Sequence, residues 1–203
     1  MMKKRNIVYL TDDKIFLYSY KKDKIYKYKL NKDIIYMGRI IDPDKFIKCF
    51  KEIIKELNIN QGLFSEKMHL IVNCNYSKID IITLKNIFKY FNYHIIKIDY
   101  ETRYYYLSDD NAWLNLQKNY LSITLINKYN KIDYYIIKYS YFKSIDDLYK
   151  FIKYLVGSKE LYLIGNEEYV RKMYYAFEKS FKNITYAYSN SETFLLDRSL
   201  GNI

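Results

Sequence analysis

Proline occurs once in this chain, at position 43, and glycine only five times in 203 residues. Flexible or semi-rigid linkers are rich in one or both, so long unstructured connections are excluded. Cysteine is as scarce. Cys49 and Cys74 stand far apart, with no Cys-x-x-Cys pair and no nearby His-x-x-x-His, so neither a zinc site nor a disulfide framework is expected. They read as small buried hydrophobes in a reducing compartment. Histidine occurs twice. His69 and His94 sit in or beside apolar strands without a Ser or Cys partner at motif spacing, which makes them half-buried structural residues rather than members of a triad. The chain has no P-loop, no G-x-G-x-x-G, no G-x-S-x-G and no H-E-x-x-H. No catalytic residue, metal or cofactor is assigned on these grounds, and the chain reads as a non-enzyme. No run approaches the roughly 18 apolar residues of a membrane span. The basic start is followed by too short an apolar stretch, residues 7–10, for a signal-peptide core. A cytoplasmic location is expected.

What the chain does have is half its residues hydrophobic (50%), 28% charged and a net charge of +11. That is ample for a buried core and too apolar for disorder. The charge invites a nucleic-acid reading. Yet only Arg5, Arg39, Arg103, Arg171 and Arg198 are arginine, the usual reader of phosphates and base edges. The lysines are scattered, with no run longer than two. Together with 27 tyrosines and many Ile and Asn, they fit A/T-rich codon usage better than a basic footprint on one face. A specific nucleic-acid partner is not expected.

Hydrophobic periodicity divides the chain into alternating elements. Residues 7–10, 14–20 and 24–30 read as three strands with tight turns at Asp12-Asp13 and at 21–23, apolar on both faces as in a covered sheet. Asp42-Pro43-Asp44 is a helix start, with Asp42 as cap. Phe46, Phe50, Ile53, Ile54 and Leu57 then follow at helical spacing. Residues 68–74 read as a buried strand, a helix capped by Ser77 or Asp80 follows, and 93–98 is the next strand. Residues 100–118, with Tyr104, Tyr105 and Trp113, read as a connecting helix. Then the pattern restarts: a hairpin of 120–127 and 132–142, a helix opening at Ser144, a strand at 160–164, a turn at Gly165-Asn166, a helix, a strand at 184–188 and a last helix at 191–200 capped by Ser191 or Asn190. The two halves, 1–100 and 101–203, have nearly the same order. This is an α/β chain of two similar lobes, each a mixed sheet plus helices, or one compact domain built from both.

Asp12 and Asp13 are adjacent, so on a strand they point to opposite sides, and turn residues are expected rather than paired catalytic carboxylates. Asp109 and Asp110 read as helix caps. The run around Arg103, Tyr104, Tyr105 and Trp113 reads first as a connector between lobes and second as a partner-binding groove, since Tyr, Trp and Arg are enriched at interface hot spots. Nucleic-acid stacking comes third.

The element order resembles the actin-like ATPase superfamily, which includes PilM, MreB and FtsA, reduced to its two ribonuclease H-like core lobes. Gly38-Arg39-Ile40-Ile41-Asp42 before a long helix is similar to that family's G-x-I-x-D step. Residues 68–73 fall where the family has its core strand after the first helix. Residues 161–166, the helix after them, 184–188 and 191–200 resemble its closing unit. The resemblance covers nearly the whole chain and is mainly topological. It implies three nucleotide loops, and the chain departs from each. An acidic-glycine loop is implied between the first two strands, where Asp12 and Asp13 stand without glycine. A glycine-rich second hairpin is implied where Asn127 to Lys131 stand, in a hairpin lacking a third strand. A Gly-Gly adenosine turn is reduced to Gly165 with Asn166. Glycine lets backbone N–H groups approach phosphate, and adjacent carboxylates repel it.

The resemblance therefore implies a pseudo-ATPase without a cofactor. Like PilM and the cytoplasmic domain of the secretion protein GspL, it would be a scaffold at the inner face of the membrane. There it would dock the cytoplasmic tail of a membrane protein or an assembly ATPase of a type IV pilus or type II secretion platform. A homodimer and peripheral contact with anionic lipid are compatible with this. The alternatives are a cell-shape or cell-division accessory related to MreB or FtsA, and a basic nucleic-acid-binding module.

Overall fold

The computed structural model describes residues 5–57, 66–105, 110–129, 131–179, 181, 184–186 and 193–200. The chain divides into two compact units, Met1–Glu101 and Thr102–Ile203.

In the first unit β1 (Asn6–Leu10), β2 (Lys14–Ser19) and β3 (Lys24–Lys29) form an antiparallel meander. A small hairpin, β4 (Ile35–Tyr36) and β5 (Arg39–Ile40), leads into α1 (Pro43–Glu56). Asp42 caps α1 by accepting from Lys45 N at 3.0 Å, and Pro43 takes the first turn where its missing N–H costs nothing. β6 (Glu66–Val72), α2 (Lys78–Tyr90) and β7 (Tyr93–Tyr100) follow. Ser77 caps α2 in a reciprocal box with Asp80. The five-stranded sheet has the order β3-β2-β1-β6-β7, with β1, β6 and β7 parallel. Its helix-covered face buries Val8, Leu10, Leu70 and Val72 against Phe46, Phe50 and Phe88, with Phe50 edge-on to Phe88 and Phe91 at 5.2 and 5.1 Å.

A 3-10 turn, Glu101–Tyr104, comes next. The expected helix over 100–118 is not there; its main element is β8 (Asn111–Leu116). Every residue of β8 is buried, and Asn111 and Asn115 share one face with Trp113, so no alternation of apolar and polar residues marks it as a strand. β9 (Tyr120–Ile126) and β10 (Ile132–Lys138) complete a second meander. The third strand that the second hairpin was expected to lack is therefore β8. α3 (Ile145–Val156), β11 (Glu160–Gly165), α4 (Glu167–Phe177), β12 (Ile184–Tyr186) and α5 (Phe194–Leu200) close the unit. The expected caps Ser191 and Asn190, the strand residues 187–188 and Asp109 lie outside the described residues. The sheet order, β10-β9-β8-β11-β12, repeats that of the first unit strand for strand.

Among the described residues no helix is long and apolar enough to cross a membrane, and no group of three or more His, Cys, Asp or Glu is placed to hold a metal ion. Cys49 and Cys74 are half-buried and not joined to each other, and burial pushes the Cys49 thiol upward.

Candidate functional site at the strand ends

In open α/β sheets ligands bind beyond the carboxyl ends of the parallel strands. Each unit has such an end. In the first it is formed by β1, β6 and β7. The turn after β1 is closed by Thr11 N donating to Lys14 O at 3.0 Å, which leaves Asp12 and Asp13 as its two central residues. Asp12 is buried (1% exposed), and its Oδ1 accepts from Met37 N at 2.8 Å. Asn73, just past β6, donates Nδ2 to Met37 O at 2.7 Å. Tyr76 OH donates to Gly38 O at 2.6 Å, and burial pushes its phenol pKa upward. Met37 and Gly38 are the central residues of the β4–β5 hairpin, both with positive φ (51° and 73°), as a type I′ turn requires. For Met this left-handed geometry is strained by about 1–2 kcal/mol. The clamp of Asp12, Asn73 and Tyr76 holds it in place. The β4–β5 hairpin is thus tied to the strand end of the first unit, with Asp12 Oδ1 accepting from its backbone amide.

Beside this end, Arg39 places Nη2 2.8 and 2.9 Å from the two oxygens of Asp80. Burial pushes the Asp80 carboxyl up, but the hydrogen bonds from Ser77 and Arg39 outweigh it and hold it below the ordinary value. On the sheet, His69 Nε2 lies 2.9 Å from Asp99 Oδ2, which also pairs with Lys97 at 2.5 Å. Burial, reinforced by Arg5, lowers the imidazole pKa to about 4. His69 is therefore neutral at pH 7 and donates its Nε2 proton to Asp99. His94 is exposed.

In the second unit β8, β11 and β12 run parallel. Because β8 was not expected, the sequence reading placed the second loop one hairpin too late. Asn127 caps the β9–β10 turn by accepting from Tyr129 N and Lys131 N at 2.9 and 3.0 Å. That turn is at the opposite end of the sheet, where Ile126 pairs with Asn111. The turn at the carboxyl end is 117–120, closed by Gln117 N donating to Tyr120 O at 2.9 Å. It contains no glycine. Gln117 folds inward and donates Nε2 to Asn115 Oδ1 at 2.6 Å. Gly165 has φ of 112°, and a Cβ there would stand 2.3 Å from Leu116 O and 2.7 Å from Asn115 Oδ1. Glycine here lets β8 and β11 close on each other, with Asn166 N donating to Leu116 O at 2.7 Å. Asn166 caps α4 by accepting from Glu168 N at 3.1 Å, and Glu167 and Glu168 occupy the first turn. An anion approaching that helix end meets two carboxylates.

The aromatic run is resolved into two kinds of position. Tyr105 and Trp113 are fully buried, which corrects the reading of both as partner-binding residues. Trp113 is sandwiched between Tyr105 and Tyr162, with ring centroids 5.1 and 4.5 Å away, and Phe194 of α5 lies at 5.4 Å. They form the core of the sheet face that α5 covers. Arg103 is exposed and Tyr104 half-buried.

The features that sequence reasoning missed are the Met37 hairpin, Asn73, Asn115 and the turn at 117–120. Their only sequence signal was Gly38, the glycine a type I′ turn calls for.

Two duplicated sheets of order 3-2-1-4-5 with helices on them define the actin-like ATPase fold, and this chain has it. The ethanolamine utilization protein EutJ from Carboxydothermus hydrogenoformans is similar at a TM-score of 0.67 and 11% identity, over 96% of this chain and 88% of that one. MreB5 of Spiroplasma citri bound to AMPPNP is similar at 0.65 and 10% identity, over 98% and 96%. A chain of the PilM-PilN type IV pilus biogenesis complex is similar at 0.63 and 7% identity, over 95% and 96%. At such identities the likeness is one of fold. No protein-family model and no curated protein sequence matches the chain.

Proposed function

We propose that this chain is a non-catalytic actin-like scaffold that docks a partner protein, the cytoplasmic tail of a membrane protein or an assembly ATPase, at the inner face of the membrane. One observation carries this reading: polar side chains at the strand ends hydrogen-bond to the chain's own groups. Asp12 and Asn73 hold the Met37 hairpin in one unit, and Gln117 and Asn115 bond to each other beside Gly165 in the other. The structural likeness to a chain of the PilM-PilN complex supports a role in a pilus or secretion platform.

The outer face of α2 favours a position against anionic lipid. Its exposed residues are Lys78, Ile79, Ile82, Lys85, Asn86, Lys89 and Tyr90, with no acid among them. Lysines near such a surface contribute about 1 kcal/mol each. Arg103 and Tyr104 remain candidates for partner contact. The likeness to MreB5 keeps a cell-shape accessory as the second reading, which requires self-association at high concentration.

The test is the thermal midpoint with and without magnesium-ATP. A ligand at about a hundred times its Kd adds ~2.7 kcal/mol, a shift of several degrees. The scaffold reading expects no shift up to millimolar concentration. A clear shift overturns it in favour of a nucleotide-gated protein.

A further inference from the structure

The second unit has a groove of about 480 Å³ at its α3–α4 face, lined by Lys118, Tyr139, Phe142, Lys143, Ile145, Leu148, Tyr169, Lys172 and Met173, with the N-cap Ser144. It lies at the carboxyl end of the sheet. Lys118 is in the turn after β8, Tyr139 follows the last residue of β10, which pairs with Tyr120, and Tyr169 is in the first turn of α4 with Met173 one turn further on. The floor is apolar: Leu148 and Met173 belong to the core, and Tyr139 stacks on Tyr169 at 5.9 Å. The rim is basic, and no carboxylate lines the groove. Lys172 is held by Glu168 at 2.6 Å, but Lys118 and Lys143 are exposed and have no ion-pair partner among the described residues. Ile145 of the lining is 56% exposed, and Tyr141, next in sequence to the lining residue Phe142, is 71% exposed.

We propose that this groove binds an acidic peptide segment carrying a large apolar residue, the apolar side chain entering between Tyr169, Leu148 and Met173 while flanking carboxylates meet Lys118 and Lys143. The lining has the character of a peptide anchor pocket: an apolar centre that excludes water and a charged rim that selects the partner by sign. The exposed Ile145 at the groove and Tyr141 next to Phe142 favour a chain segment over a small molecule, which would leave Tyr141 bare. Lys118 and Lys143, without an ion-pair partner among the described residues, give the charge complementarity that fixes the sign of the partner.

The proposal deepens the docking reading and rests on it. The test is selection from a random-peptide display library on the immobilised whole chain, followed by fluorescence anisotropy of the selected peptides. Enriched peptides are expected to carry Asp or Glu beside Phe, Leu or Ile, and to lose affinity as salt is added. Binding should fall at least about tenfold in the double variant Lys118→Glu, Lys143→Glu. Ile145→Asp should weaken it as well. All three side chains are exposed, so an unchanged thermal midpoint shows that the fold is intact. No enrichment over the bare support overturns the proposal. So does enrichment of basic or uncharged peptides, or equal binding by the double variant. Stabilisation by magnesium-ATP would overturn the scaffold reading while leaving peptide binding here intact, so the two failures are distinguishable.

Discussion

At Gly165 one added carbon has no room. Its Cβ would overlap Leu116 O, and its φ lies where side chains are strained. Gly165→Ala should cost about 2–4 kcal/mol in urea unfolding. Gly157→Ala is the control. It has φ of 61° but open space around it, and its cost should stay near 1 kcal/mol. Equal costs would mean that the close approach of β8 and β11 contributes nothing. Asp12→Ala removes the acceptor for Met37 N inside a buried site, with an expected loss of about 1–3 kcal/mol. Asp12→Asn keeps an oxygen there and should lose less. If the two variants unfold alike, the clamp on the hairpin is not a stabilising contact. His69 gives the molecule a pH dependence. In the unfolded chain the imidazole titrates near 6.5, and in the folded protein near 4. Between these values the unfolded state binds a proton that the folded state does not, so stability falls as pH drops from 6.5 to 4. His69→Gln should flatten that slope in denaturation measured at several pH values. An unchanged slope would assign the loss to other groups.

Among elements, α2 shows how local chemistry fixes a boundary. Ser77 and Asp80 exchange hydrogen bonds across the first turn, and Arg39 ties that turn to the β4–β5 hairpin. Ser77→Ala should cost about 1 kcal/mol, read as a lower thermal midpoint. A neutral result would mean that Arg39 and Asp80 alone hold the turn. This helix start, like those at Asp42 and Ser144, was legible from sequence because caps and apolar spacing agree there. β8 was not. A central strand buried on both faces loses its period of two, and Asn111 and Asn115 make it look polar where it is most enclosed. The consequence spread outward: with β8 missing, the second loop falls at Asn127 instead of the turn at 117–120, and Trp113 reads as part of a connector, or second as a partner contact, instead of as core. The site was half legible. Asp12 and Asp13 lie in the turn expected of them, whereas Gly165 ends β11 and leads directly into the Asn166 cap of α4. Their partners Met37, Asn73 and Asn115 were not found, because those pairings join residues far apart in sequence that only the sheet brings together.

On the scale of the molecule, the repeated strand order gives each half its own core. Phe50 is a fully buried member of one and Phe177 of the other. Phe50→Ala and Phe177→Ala should each cost about 3–5 kcal/mol. Hydrogen exchange followed by mass spectrometry should show protection lost mainly within 1–101 for the first and within 102–203 for the second. Loss spread evenly over both halves would show a single cooperative unit instead.

The ring stack around Trp113 also makes the protein its own optical instrument. The chain's single indole lies between the rings of Tyr105 and Tyr162, so light absorbed by those two phenols passes to one emitter whose location is known. The emission colour and the transfer from these two tyrosines report the state of the second unit without any attached dye.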